Sequence, residues 1–127
     1  AIQYMDPANT KILIVEDDDF LRSLAVTKLQ KEGFTVLTSA NGEEGLESAK
    51  LNKPDVVLLD LLLPGIDGFE VLERIRKDSE IGKTRVIIFS NLGEEEDIKR
   101  GKGLGANDYL VKASFTLDEL VDKIKGI

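Results

Sequence analysis

Five short runs of valine, isoleucine and leucine recur along the chain: Ile12 to Val15, Phe34 to Leu37, Val56 to Leu59, Val86 to Phe89, and Tyr109 to Val111. Each has the length of a strand. They lack the apolar–polar alternation of a sheet with one wet face, so both faces of the sheet must be covered. The intervening segments carry apolar residues at helical spacing, as in Leu21, Leu24, Ala25 and Leu29, and again in Leu117, Leu120, Val121 and Ile124. That spacing places them on one face of a helix. The alternation predicts an α/β domain of (βα)5 order, a doubly wound, five-stranded parallel sheet.

Local signals agree with these boundaries. Asn41 with Glu44, Asp67 with Glu70, and Thr116 with Glu119 each set a side-chain acceptor three residues before an acid, a capping-box pattern or its close relative. Gly33 and Gly42 mark a helix exit and a helix entry, and Pro54 stands where a helix must already have stopped. Gly101, Gly103 and Gly105 crowd the end of the fourth helix, which is expected to fray there, because an interior glycine costs about 1 kcal/mol relative to alanine.

At 127 residues the chain suits one domain, assigned to residues 11–127; residues 1–10 read as an N-terminal extension, with Met5 a candidate natural start. The longest apolar stretch, Val56 to Leu63, is interrupted by Asp60 and is too short to span a bilayer. Ala1 to Thr10 lack the basic and apolar regions of a secretion signal. The absence of cysteine excludes disulfides, thiolate metal sites and a thiol nucleophile, and fits a reducing cytoplasm. A net charge of −7 without a Lys/Arg cluster argues against nucleic acid as a direct partner and favours cations as ligands.

Chemistry is indicated by the polar residues that directly follow strands: Glu16 and Asp17 after the first, Asp60 after the third, Ser90 after the fourth, Lys112 after the fifth. The second strand contributes nothing comparable. In a doubly wound sheet of order 2-1-3-4-5 that strand lies at an edge, and ligands bind beyond the C-terminal strand ends where strands 1 and 3 diverge. All the named groups converge there. An acid set between Val56–Leu59 and Leu61–Leu63 is costly to bury without a function, which singles out Asp60.

Three carboxylates in one crevice either take up protons or hold a cation. Mg²⁺, or Mn²⁺ in its place, suits them, because it keeps several waters and leaves positions for a phosphoryl oxygen. Asp17 and Asp60 are expected as direct ligands, Glu16 through water, and the main-chain carbonyl of Leu62 as the remaining protein donor. Phosphoryl transfer needs a positioned nucleophile and positive charge on the transferring oxygens. Asp60 would supply the nucleophile, Lys112 the charge, and Ser90 a hydroxyl for a phosphoryl oxygen.

Together, Ile12-Leu-Ile-Val-Glu16-Asp17, Pro54-Asp-Val-Val-Leu-Leu-Asp60, Pro64-Gly-Ile-Asp-Gly68, Ile87-Ile-Phe-Ser90 and Gly105-Ala-Asn-Asp-Tyr109-Leu-Val-Lys112 resemble the receiver domain of two-component response regulators, as in the chemotaxis receivers. The likeness runs from Lys11 to about Ile124. It implies a flavodoxin-like sheet, phosphorylation of Asp60, and a sensor histidine kinase or phosphotransfer protein as donor. A downstream protein or output domain, expected outside this chain, would be the target. It also implies that Ser90 and Tyr109 form a switch: phosphorylation draws the hydroxyl inward, lets the aromatic ring turn toward the core, and remodels the surface of helix 4, strand 5 and helix 5. Such a domain catalyses only its own phosphorylation and dephosphorylation and is not a turnover enzyme.

The chain departs from that family pattern at three places. Ala113 follows Lys112 where proline is usual, and a cis bond there would cost about 2.5–4 kcal/mol. Asn91 replaces a small residue after Ser90, which narrows access or adds a hydrogen bond. Leu62 and Leu92, at positions that tune dephosphorylation, cannot orient water, so slow self-dephosphorylation is expected.

Plainer readings apply elsewhere. Asp18 and Asp19 read as acids at a helix start, Glu94 to Asp97 as a solvated first turn, and Asn91 as the cap before Glu94. Taken singly, Lys112 could be a surface lysine and Tyr109 a half-buried strand aromatic. A phosphatase of the haloacid dehalogenase type would carry a second acid where Leu62 stands. A nucleotide or flavin binder would need an anion-binding loop where Glu16 to Asp19 stand. A phosphorylation-independent, receiver-like interaction module is the remaining alternative.

Overall fold

The computed structural model describes residues 5–126. Its elements are β1 (Lys11–Val15), α1 (Asp19–Lys31), β2 (Thr35–Ser39), α2 (Gly42–Asn52), β3 (Val56–Leu59), α3 (Gly68–Lys77), β4 (Arg85–Ser90), α4 (Glu95–Gly103), β5 (Asp108–Val111) and α5 (Leu117–Ile124). Short 3-10 turns lie at Pro7–Asn9 and Lys112–Ser114. All neighbouring strands pair in parallel, in the order β2-β1-β3-β4-β5. Ala1 to Tyr4, the first part of the N-terminal extension, lie outside the described residues.

Period-two geometry divides each strand between two cores. Leu13, Val15, Val57, Leu59, Val86 and Ile88 face Leu46, Ala49, Val71, Leu72 and Ile75 of α2 and α3. Ile12, Ile14, Val56, Leu58, Ile87, Phe89 and Leu110 face Ala25, Leu29, Leu120, Val121 and Ile124 of α1 and α5. Burial on both faces is the physical reason that the strands read as unbroken apolar runs. The helix starts are capped as their sequences predict: Asn41 accepts from the Glu44 amide, Asp67 from that of Glu70, and Thr116 and Glu119 form a full capping box.

The structure corrects four sequence expectations. Leu24 is 42% exposed, because α1 turns Leu21, Ala25 and Leu29 inward and Leu24 lies about 100° round the helix from Ala25. The second strand starts at Thr35, leaving Phe34 buried just before it. Asn91 does not cap α4: the helix begins at Glu95, its N-cap is Glu94 without a side-chain bond, and Asn91 is too far back to reach a first-turn amide. Finally, α4 ends in an ordered turn, with the Ala106 amide on the Gly101 carbonyl at 3.1 Å and the Gly105 amide on the Lys102 carbonyl at 3.0 Å. Those bonds match the Schellman pattern and satisfy the carbonyls that a frayed end would leave open.

Candidate functional site

The ladder sets the site's frame. Beyond the last residue of β1, the Glu16 amide donates to the Ser39 carbonyl, and the Asp60 amide donates to the Val15 carbonyl, each at 3.0 Å. The side chains of Glu16 and Asp60 are thereby held at the mouth of the central strands β1 and β3. Both residues are buried, 4% exposed each, while Asp17 faces solvent. One ligand oxygen from each of Glu16, Asp17 and Asp60 lies within 4.8 Å of the others.

Lys112 enters from the end of β5. Its ammonium donates to Glu16 Oε1 at 2.6 Å and to Asp60 Oδ2 at 2.9 Å. The other Asp60 oxygen, Oδ1, accepts from the Ser90 hydroxyl at 2.7 Å and from the Leu62 amide at 3.2 Å. Glu16 Oε2 accepts from the Asp18 amide at 3.0 Å. No buried side-chain nitrogen or oxygen among the described residues lacks a partner.

Burial pushes the Glu16 carboxyl above the usual range, and the Asp60 charge adds to this, against the hydrogen bonds from Lys112 and Asp18. Burial works against the Lys112 ammonium, yet its bonds to Glu16 and Asp60 outweigh that cost and raise its pKa above lysine's ordinary value. The pocket therefore concentrates negative charge around one fixed cation. Its three carboxylates are hard donors, two buried and one open to solvent, and they fit a small divalent ion that keeps part of its water shell.

Every side chain singled out at the strand ends is brought together here. Asp18 caps α1 by accepting from the Leu21 amide, as its reading as a helix-start acid requires. Leu62 offers its amide to Asp60 while its side chain is half exposed. The Lys112–Ala113 bond is trans, and Ala113 is exposed in the turn that follows Lys112. Asn91 is exposed to solvent. One residue escaped notice: Arg22 donates to the Glu16 carbonyl at 2.8 Å and pairs with Asp19. Its i,i+3 spacing from Asp19 was the available signal.

A family model described as the response regulator receiver domain matches residues 12–125. The chain belongs to this family. It is 40% identical over 117 residues to the cell cycle response regulator CtrA of Brucella ovis, covering 92% of this chain and 49% of that protein. It is 40% identical over 101 residues to the transcriptional regulatory protein AfsQ1 of Streptomyces coelicolor, covering 80% of this chain and 44% of that one. The receiver domain thus spans about half the length of the curated relatives it matches.

Solved structures show the same fold. The receiver domain of Francisella response regulator 1452 superposes with a TM-score of 0.84 at 33% identity, covering 91% of this chain and 93% of that one. Vibrio cholerae CheY4 gives 0.84 at 30% identity, covering 91% and 95%. A CheX-CheY-BeF3-Mg²⁺ complex from Borrelia burgdorferi gives 0.83 at 30% identity, covering 91% and 86%. Among the described residues of this receiver no helix is long and apolar enough to cross a membrane.

The receiver's aromatic switch candidate is turned inward. Tyr109 is 7% exposed, and its hydroxyl donates to the Leu92 carbonyl at 2.6 Å. Room for the ring comes from Gly101 of α4: a Cβ there would lie 2.9 Å from Tyr109 Cδ2, 3.0 Å from Cε2 and 2.7 Å from Ile88 Cδ1. Burial, assisted by the Asp97 and Asp60 charges, pushes the Tyr109 phenol from 10.0 up to about 12.

This burial has a measurable sign. The fold favours the neutral phenol, so its contribution to stability is complete below pH 10.0 and is lost as pH rises through about 12. An alkaline titration followed by phenolate absorbance should contain a step near pH 12 that Tyr109→Phe removes; a Tyr109 step near 10 would contradict the inward ring. Gly101→Ala is expected to move that step back toward 10 by driving the ring outward. Gly103→Ala, whose methyl meets nothing within 4 Å, should leave the step in place and add about 1 kcal/mol of helix stability. Matching titrations for the two variants would mean that Gly101 does not govern the ring.

Proposed function

We propose that Asp60 accepts a phosphoryl group from a histidine kinase or phosphotransfer protein in a Mg²⁺-dependent reaction, and that this biases the Ser90–Tyr109 switch. The observation that carries the reading is the pair of bonds from Lys112 and Ser90 to opposite oxygens of Asp60, one of the two buried carboxylates of the acidic cluster.

In the transfer, an Asp60 oxygen forms a bond to phosphorus while the bond from phosphorus to the donor's imidazole nitrogen breaks, and the released imidazole takes up a proton. Glu16, Asp17, Asp60 and the Leu62 carbonyl are assigned to the ion, with Mn²⁺ as a substitute for Mg²⁺. When bound, the ion supplies positive charge that offsets the phosphoryl oxygens. Lys112 holds a second positive charge against the acceptor, and Ser90 stands ready to donate to a phosphoryl oxygen. Burial of Glu16 and Asp60 limits the water that competes for these bonds.

The Ser90 hydroxyl lies toward Asp60 while Tyr109 lies inward, so the two switch residues occupy the combination that the family associates with phosphorylation. Phosphorylation then acts by shifting weight between two existing arrangements of α4, β5 and α5, not by creating a new one. This makes the domain a self-modifying switch in the cytoplasm, not a turnover enzyme, with its output carried by a partner or by a domain outside these residues.

Intact mass after incubation with a small-molecule phosphodonor tests the proposal. One phosphoryl group should be gained with Mg²⁺ and none with chelator present. No gain under any donor, with folded protein and metal, would favour the phosphorylation-independent interaction module instead. Once formed, the phosphoryl group should be lost slowly, because the Leu62 and Leu92 side chains cannot orient water. Leu62→Asn is expected to speed its loss by about tenfold, the rate equivalent of one hydrogen bond to the attacking water. Equal decay rates in the two proteins would remove the assignment of Leu62.

A further inference from the structure

Helix α2 and the loop that follows Asp60 interlock at a point the pocket's own residues do not reach. Glu43, in the first turn of α2, accepts from the Ile66 amide through Oε1 at 2.8 Å, a bond that joins residues 23 apart in sequence. The carboxylate lies flat against Gly65, whose φ of +76° is a left-handed conformation; a Cβ on Gly65 would fall onto the Glu43 carboxylate. Beside it, Gly42 brings the start of α2 against the Ile66 carbonyl and side chain.

The same loop contacts the acceptor. The Leu62 amide donates to Asp60 Oδ1, and the loop closes where the Gly68 amide meets the Leu61 carbonyl at 3.0 Å. Between those fixed ends, Ile66 is held from outside the loop by Glu43.

We infer that Glu43 is a positioning residue for the phosphoryl site: it pins the loop of residues 61–67 so that the Leu62 amide and carbonyl keep their places beside Asp60. The inference rests on the reading of Asp60 and its neighbours as a phosphoryl- and Mg²⁺-binding pocket. Glu43 touches neither ligand. It acts through the Ile66 amide, and what matters is an acceptor oxygen at that point, not negative charge.

Glu43→Ala and Glu43→Gln in the full chain separate these possibilities, because glutamine keeps an acceptor oxygen and loses the charge. Three quantities are measured: hydrogen exchange at the Ile66 amide, Mg²⁺ affinity from amide shifts in the loop, and the rate of phosphorylation by a small phosphodonor. Glu43→Ala should exchange the Ile66 amide about fivefold faster and bind Mg²⁺ about fivefold more weakly, the effect of losing one ordinary hydrogen bond. Phosphorylation should slow in proportion, and Glu43→Gln should stay within about twofold of the parent in all three.

Unchanged Mg²⁺ affinity in Glu43→Ala would overturn the inference, and so would a glutamine variant as impaired as the alanine one. A parent protein that binds no Mg²⁺ and gains no phosphoryl group would instead overturn the reading of the pocket. Ile66 exchange would then still report whether the clamp exists, which keeps the two failures apart.

Discussion

Asp60→Asn is expected to abolish phosphorylation completely while leaving the fold intact. Asparagine keeps an oxygen where Oδ1 accepts from Ser90 and the Leu62 amide, so neither donor is orphaned. It removes the nucleophile, because an amide oxygen does not form a stable ester with phosphorus under these conditions. Lys112 keeps Glu16 as its partner at 2.6 Å but loses Asp60 Oδ2, whose place the amide nitrogen takes, while the buried repulsion between Glu16 and Asp60 disappears. These effects oppose each other, so stability without metal should stay close to that of the parent. Mass spectrometry with a small phosphodonor and Mg²⁺, alongside thermal unfolding, checks both halves. An adduct that persists in the asparagine variant would place the phosphoryl group on another residue.

Removing the pocket's cation should have the opposite effect on stability. In Lys112→Met the buried carboxylates of Glu16 and Asp60, with side chains 6% and 5% exposed, face each other without the ammonium that now bridges them. Breaking a buried pair by deleting one partner costs about 3–5 kcal/mol, and two acids lose their partner here. Proton uptake by Glu16, whose pKa is already raised by burial, offsets part of that cost. The loss should consequently be largest at alkaline pH and shrink as pH falls, since a raised carboxyl pKa stabilises the protonated fold below it.

Mg²⁺ should restore much of the stability of Lys112→Met, about 2.7 kcal/mol at a hundredfold excess over its dissociation constant. At the same Mg²⁺ concentration the gain in the parent should be smaller, because ion and ammonium compete for the same oxygens and the parent's dissociation constant is larger. Urea titrations with and without Mg²⁺ measure both differences. A Lys112→Met protein as stable as the parent in chelator would show that the bridge contributes nothing.

The architecture was legible in the sequence because strands buried on both faces cannot disguise themselves: Val56 to Leu59 has no polar position to lose. The site was legible for a related reason. Polar residues that interrupt such strands at one end must gather at one edge of the sheet, and Asp60 between apolar neighbours had no inexpensive structural explanation. Leu24 was misplaced because the periodicity of α1 admits two adjacent apolar stripes, and only docking against the sheet selects between them. Asn91 was misplaced because α4 starts after an extended turn whose length no local residue signals. The contact of Glu43 with Ile66 left no pattern in the chain, since it depends on where α2 comes to rest against a loop 23 residues further on.

The bond between Lys112 and Glu16 spans 96 positions of a 127-residue chain. The lysine can meet its acids only after all five strands have been assembled, and long-range closure of this kind comes late in the folding of a domain. Until β5 docks, the acids at the ends of β1 and β3 have no ammonium between them, so the balance of charge at this edge of the sheet is a property only of the fully folded domain.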